Sequence, residues 1–424
     1  MAHNTIDVAI IGAGPYGLSL AAHLASAGVE FRIFGKPMAS WKWSMPAGML
    51  LKSHSWSSNL YDPTSSFTLE EFCFERNIPY HDSDIPVSVK TFVAYGEAFQ
   101  ARFAPNVEDK VLISCDSVPA GVRGIFDDGE IVTARHMIVA VGVHPFKYVP
   151  EAFAHLPSDV LSHSSDHGPL DRFAGKHIAI LGSGASAIDL AALLHEQGTS
   201  VSLVARADQL NFPRVPGARR SFVRRLAYPL VRPFIYPGSG IGTGWLLKFC
   251  AEAPHVFHAL PERNRLHIVG TTLGPSGSPF MKDRIIGKVS LLLGRNLQAV
   301  NVRSGKAYLS LASDAQPNEI IEADHVIAAT GYKLDLHQLP FLSPGLMEKI
   351  RAVKNTPILS PSYESSVVGL YFIGPIAANS FGPVLRFVFG AVYPARRLVQ
   401  HIKSRLAYGL ISPPKAPFSM PIRQ

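Results

Sequence analysis

The chain opens on an unbroken apolar run, Val8–Ile11 within DVAII, which reads as a strand buried on both faces. It enters Gly12-Ala13-Gly14-Pro15-Tyr16-Gly17 directly. Leu18–Ala27 follows, alanine-rich and apolar along one side, and predicts a helix; Val29–Phe34 then predicts a second strand. The same order returns later. His177–Leu181 (HIAIL) is the strand, Gly182-Ser183-Gly184-Ala185-Ser186-Ala187 the turn, Ala185–Gln197 the helix and Val201–Val204 the closing strand. Two more apolar runs end at a glycine: His136–Val141 at Gly142, and Asp324–Ala329 at Thr330-Gly331. Strands alternating with helices in this way predict parallel sheets, and an α/β chain of two Rossmann-like nucleotide-binding domains.

Each glycine in the first turn has its own task. Gly12 permits the tight turn, Gly14 lets a pyrophosphate approach the backbone, and Gly17 lets helix and strand pack closely. The helix N-terminus then faces the phosphates. An acidic residue for a ribose hydroxyl is expected at the tip of the second strand, where this chain has Phe34-Gly35-Lys36. Gly35 and Lys36, with Ser40 and Trp41, are the neighbours left for that contact. In the second unit Gly182, Ser183, Gly184, Ala185 and Ser186 form the cradle, and the strand ends in Ala205-Arg206 with no acid at its tip. A guanidinium there suits a 2′-phosphate, which favours NADPH over NADH.

Chain order makes the second domain an insertion in the first. Residues 1–158 and 325–402 form the first domain, 159–324 the second, and 403–424, with four prolines, a surface tail. Residues 206–290 exceed a minimal nucleotide domain. Between Arg206 and Arg232, arginines 206, 214, 219, 220, 224, 225 and 232 accumulate beside a single acid, Asp208. A solvated basic face, a hold on NADPH phosphates or an anionic substrate, and a peripheral contact with an acidic membrane all remain open for this insertion.

Composition narrows the chemistry. With 40 basic and 32 acidic side chains the net charge is +8, which favours anionic partners in general. No aromatic stacking run interleaves with the arginines, so nucleic acid is not expected. Cys73, Cys115 and Cys250 are too dispersed for a redox dithiol or a zinc site, and fit a reducing cytoplasm. Neither a metal-binding HExxH nor a GxSxG nucleophile turn occurs. The N-terminus has no basic leader with a cleavable apolar stretch, and no apolar run is long enough to span a bilayer. A cytoplasmic dinucleotide-binding protein is the expectation.

The residues above resemble the two-dinucleotide-binding flavoproteins, and among them the class B flavin monooxygenases. That group takes in the Baeyer–Villiger, flavin-containing and ornithine/lysine N-hydroxylating enzymes. Ala328-Ala329-Thr330-Gly331-Tyr332 and Ala140-Val141-Gly142 are similar to the group's crossovers between nucleotide domains. His163-Ser164-Ser165-Asp166-His167 is similar to its linker fingerprint, with His167 where tyrosine is usual. Trp41 with Met45-Pro46 is similar to its flavin-side segment, and Asp62-Pro63-Thr64-Ser65 to a stretch of the N-hydroxylases. The lysine those enzymes use for an amino-acid substrate is unmatched, which argues against ornithine or lysine.

The resemblance implies FAD in the first unit and NADPH in the second. It further implies that reduced flavin takes up O2 as a C4a-(hydro)peroxyflavin and passes one oxygen atom to the N, S or C of a small molecule. A flavin oxidase or reductase that oxygenates nothing is the alternative. Asn59 is the candidate polar side chain near the flavin, with Trp41, Lys52 and Ser53 beside it. Val111 and Gly142 join the cofactor-binding set, as do Thr330, Gly331, Gly374 and Pro375, the last in place of a usual acid. The segment Ala377–Arg386 is expected to open a helix on the flavin ring, with Ser380, Phe381 and Gly382 as contacts.

Overall fold

The computed structural model describes residues 5–82, 85–154, 156–213, 237–313 and 317–407. Arginines 214, 219, 220, 224, 225 and 232 of the basic insertion, and residues 408–424 of the tail, lie outside the described residues.

Strand Thr5–Ile11 is central to the first sheet. It pairs in parallel with Phe31–Phe34 on one side and Ile131–Val139 on the other. The nine-residue strand Ile131–Val139 has a divided outer edge. Its first half pairs antiparallel with Gly121–Phe126, and its last three residues pair in parallel with Leu370–Phe372. That late strand returns the C-terminal part of the chain to the first sheet. Residues 8–10 and 137–139 are wholly buried, as unbroken apolar runs on a doubly covered sheet must be.

The second sheet is entirely parallel, in the order Ser290–Leu292, Ser200–Val204, His177–Leu181, His325–Ala328, Leu161–His163. An antiparallel three-stranded sheet, Asn296–Arg303, Lys306–Ala312 and Glu319–Ala323, precedes the return crossover. The two-unit α/β architecture therefore matches the expectation. No described helix is long and apolar enough to cross a membrane.

Element limits shift for local reasons. The first helix starts at Pro15, because Gly14 is already its extended N-cap and proline tolerates the first helical position. The strand expected from Val29 begins at Phe31, because the Val29 N–H is still bonded to Leu24 O at 3.1 Å in the helix end. The helix expected over 377–386 is broken into short turns. Gly382 adopts φ +96°, and Pro383 behind it lacks an N–H, so the regular helix starts only at Val392.

Candidate active site

The two glycine turns share one packing solution. A side-chain carbon on Gly12, which has φ +115°, would lie 2.4 Å from Ala140 O. One on Gly182, with φ +142°, would lie 2.4 Å from Ala329 O. In both units the turn thus folds back onto the end of a neighbouring strand. Gly17 is tighter still, with its added carbon 1.9 Å from Gly12 O, whereas the second unit accommodates Ala187 at the matching place. Gly14 has nothing within 4 Å of the same position, and Gly184 only Pro275 at 3.8 Å. Both are N-caps, and neither helix carries a side-chain cap, so helix N–H groups face outward.

Gly12, Gly14 and Pro15 open onto a cavity of about 320 Å³ that Gly35, Lys36, Ser40, Trp41, Val111, Gly142 and Pro375 also line. An open glycine face, an uncapped helix start and an apolar trough fit a dinucleotide such as FAD. Lys36, at the expected acidic position, is 3.8 Å from Asp109. Gly17 does its work behind the cavity wall. Gly374 lies just before Pro375 with φ +79°.

A second cavity of about 220 Å³ adjoins the first. Trp41, Met45, Arg386, Phe387 and Val388 line both. Its far wall is the start of the second nucleotide helix: Ala185, Ser186 and Asp189. Lys52 and Ser53 close it from the first domain. The two nucleotide units therefore face each other across one cleft.

Three charged side chains line this cleft. Burial pushes the Asp189 carboxyl up to about 7, against the pull of Lys52 and Arg284. Burial lowers Lys52, with Asp189 opposing, and its Nζ donates to Ser276 Oγ at 2.9 Å. Arg386 donates to Val269 O at 2.7 Å and Thr272 O at 3.4 Å, and burial lowers its basicity. The Tyr16 hydroxyl lies 2.9 Å from Leu385 O and 2.8 Å from Phe387 O, which holds the backbone on either side of Arg386.

Other sequence candidates are placed elsewhere. Asn59 lines neither cavity; its amide donates to Trp56 O at 3.0 Å and its oxygen accepts from Leu69 N at 2.8 Å. It serves a turn and the start of a helix. Ser380, Phe381 and Gly382 also line neither. Phe381 is stacked between His258 and Tyr363, with ring centroids at 4.6 and 3.9 Å, and residues 386–388 meet the cavities in their place. Thr330 donates to Tyr148 O, Gly331 O accepts from His163 Nε2 at 3.0 Å, and neither residue lines the two cavities. Gly182, Ser183, Gly184 and the exposed Arg206 lie beyond the two cavities, at the second turn and its strand tip. Asp189 was missed although its spacing is a signal: it lies one helical turn after Ala185 and shares its face. Arg386 ends the segment expected on the flavin ring, but no spacing singles it out, because only the fold returns residue 386 to the first turn.

Residues 6–226, just over half the chain, match the family described as pyridine nucleotide-disulphide oxidoreductase. The chain belongs to this family. Its three cysteines are buried and unpaired, so the dithiol of the family description has no counterpart among them. The rice indole-3-pyruvate monooxygenase YUCCA1 is 30% identical over 265 residues, 58% of this chain and 60% of that protein. The chain thus matches less than two thirds of that relative's length. The probable indole-3-pyruvate monooxygenase YUCCA3 of Arabidopsis thaliana is 27% identical over 402 residues, 89% of this chain and 83% of the other. An ornithine N-hydroxylase of Kutzneria sp. 744, in a structure with reduced FAD, NADP⁺ and L-ornithine, superposes with a TM-score of 0.71 at 17% identity. The superposition covers 95% of this chain and all of that one. Two of these relatives are named as monooxygenases and the third was solved with FAD and NADP⁺; at 17% identity its superposition shows a shared fold.

Proposed function

We propose that this protein is an NADPH-dependent FAD monooxygenase that transfers one oxygen atom from O2 to a small molecule held between its two nucleotide units. The observation that carries the reading is the shared cleft. The cavity below the first glycine turn and the cavity at the start of the second nucleotide helix adjoin and share Trp41, Met45 and residues 386–388, which supports a meeting of two cofactors and a substrate there. When bound, FAD supplies the hydride acceptor and the activation of O2.

The residues of the chain divide the remaining work. Gly12, Gly14 and the start of the Pro15–Ser26 helix take the FAD pyrophosphate, and Gly182–Ser186 takes that of NADPH, with Arg206 for its 2′-phosphate. Trp41, Met45, Phe387 and Val388 exclude water where the cavities join. Asp189, poised near neutral pH, holds a proton in the cleft opposite Lys52. A cytoplasmic setting accords with three unpaired thiols.

The test is NADPH oxidation under ¹⁸O2, with indole-3-pyruvate and thioanisole as trial substrates. Product carrying one ¹⁸O per NADPH consumed is expected with at least one of them. Stoichiometric peroxide with no labelled product from either would turn the reading to an oxidase.

A further inference from the structure

The cleft carries an unused cation. Arg386 lines it at an exposed position, and no carboxylate lies beside its guanidinium among the described residues. Two backbone carbonyls, Val269 O and Thr272 O, anchor the group. An arginine has about five N–H donors, so most of its fork remains for a ligand. Its place is fixed from behind by Tyr16, whose hydroxyl meets the carbonyls of Leu385 and Phe387. Gly390 permits that arrangement, since a side-chain carbon there would lie 2.6 Å from the Tyr16 oxygen and 2.4 Å from Val384 O.

The other charges do not cancel it. Lys52 adds a second cation to the lining, and Asp189 is the sole acid among the described lining residues. Trp41, Met45, Met49, Leu190 and Phe387 give the wall its apolar and aromatic stretch, and the hydroxyls of serines 44, 53, 58, 164 and 186 interrupt it. A planar guanidinium at the rim of an apolar slot matches one kind of ligand, an apolar body ending in a planar two-oxygen anion. The slot volume, about 220 Å³, limits that ligand to a small molecule.

We infer that Arg386 is the specificity-determining residue of the cleft, pairing with the carboxylate of a small, largely apolar organic acid. The inference rests on the cleft being the substrate site of the proposed monooxygenase. Its test needs no turnover. Oxidised, FAD-loaded protein is titrated with indole-3-acetate and with indole-3-acetamide, two unreactive probes of equal shape that differ in charge, and binding is followed by calorimetry and flavin absorbance.

The acid should bind about 10-fold or more tightly than the amide, as a charge-assisted bidentate contact requires. Arg386→Gln should erase that preference while leaving amide affinity and flavin content in place, and Arg386→Lys should restore part of it. Equal affinities in the native protein would overturn the inference. So would an Arg386→Gln protein that loses flavin or both probes alike, because Arg386 would then serve the cofactor or the fold. Protein that prefers the acid but yields only peroxide under ¹⁸O2 would sink the monooxygenase reading and leave carboxylate recognition standing. Labelled product with no acid preference would do the reverse.

Discussion

At the scale of single residues, the glycines separate into those that the fold needs and those that a ligand needs. Gly12 and Gly182 each press against a strand-end carbonyl, at a φ that side chains rarely adopt. Gly12→Ala should therefore lower stability by roughly 2–4 kcal/mol and remove bound flavin. Gly14 has open space around it. Gly14→Val should leave the melting temperature of the apoprotein nearly unchanged while flavin retention falls, since the added bulk meets only the cofactor. Equal melting losses in both variants would deny Gly14 its place on the cofactor face. Asp189 gives a pH signature. Its carboxyl is pushed up to about 7 in the folded chain, so between roughly pH 4 and 7 the folded state binds more protons than the unfolded one. Its contribution to stability accordingly falls as pH rises through that window. Asp189→Asn should match the native protein near pH 4 and exceed it at pH 8 by roughly 1–3 kcal/mol in urea titrations. A difference that does not change with pH would refute the assignment.

Elements are tied to the site by contacts far apart in sequence. Tyr16, on the first helix, reaches the carbonyls of Leu385 and Phe387. Tyr16→Phe leaves those buried carbonyls without their donor, at a cost of about 1–2 kcal/mol, and should loosen residues 385–388 most. Hydrogen exchange localised to that segment would report it; uniform exchange change would point to general destabilisation instead. The C-terminal helix Val392–Ala407 is anchored similarly. Arg405 Nη1 lies 2.8 and 2.9 Å from the two carboxylate oxygens of Glu364, which is almost wholly buried and also accepts from Gly369 N at 2.8 Å. Arg405→Ala leaves that carboxylate without its cation, and a loss of roughly 3–5 kcal/mol is expected on denaturant unfolding. Arg405→Ala with Glu364→Gln should recover part of it.

For the whole molecule, the deciding feature is that two nucleotide units face one cleft. Neither unit alone encloses it: Trp41, Lys52 and Phe387 come from the first, Ala185, Ser186 and Asp189 from the second. Cofactor binding and unit packing are therefore coupled, and any ligand spanning both should stabilise the fold in proportion to its concentration. Saturating NADP⁺ added to FAD-loaded protein should raise the melting temperature by a few degrees, on the order of 1 °C per kcal/mol for a chain of this size. Absence of any shift would remove the second cradle from the nucleotide sites. Buried, unpaired Cys73, Cys115 and Cys250 predict no change in melting on reduction.

What could be read from the chain alone was local. Apolar runs that enter glycine turns specify strand, turn and helix within a few residues, because backbone sterics and the helix start act at that range. Both cradles, both crossovers and the α/β class were therefore legible in residues 7–34, 177–204, 136–142 and 324–331. The cleft was not. Asn59 looked exposed to the flavin by its neighbours in sequence, yet the turn it caps consumes both ends of its amide. Residues 380–382 looked like a helix start, yet Gly382 and Pro383 divide the segment and bury Phe381 between His258 and Tyr363. Arg386 faces the cavities because a strand at 370–372 returns to the first sheet and Tyr16 holds the following turn. Spacing along a chain fixes which side chains share one helix face; which of two faces meets a cavity depends on packing between segments hundreds of residues apart, and tertiary structure alone decides that.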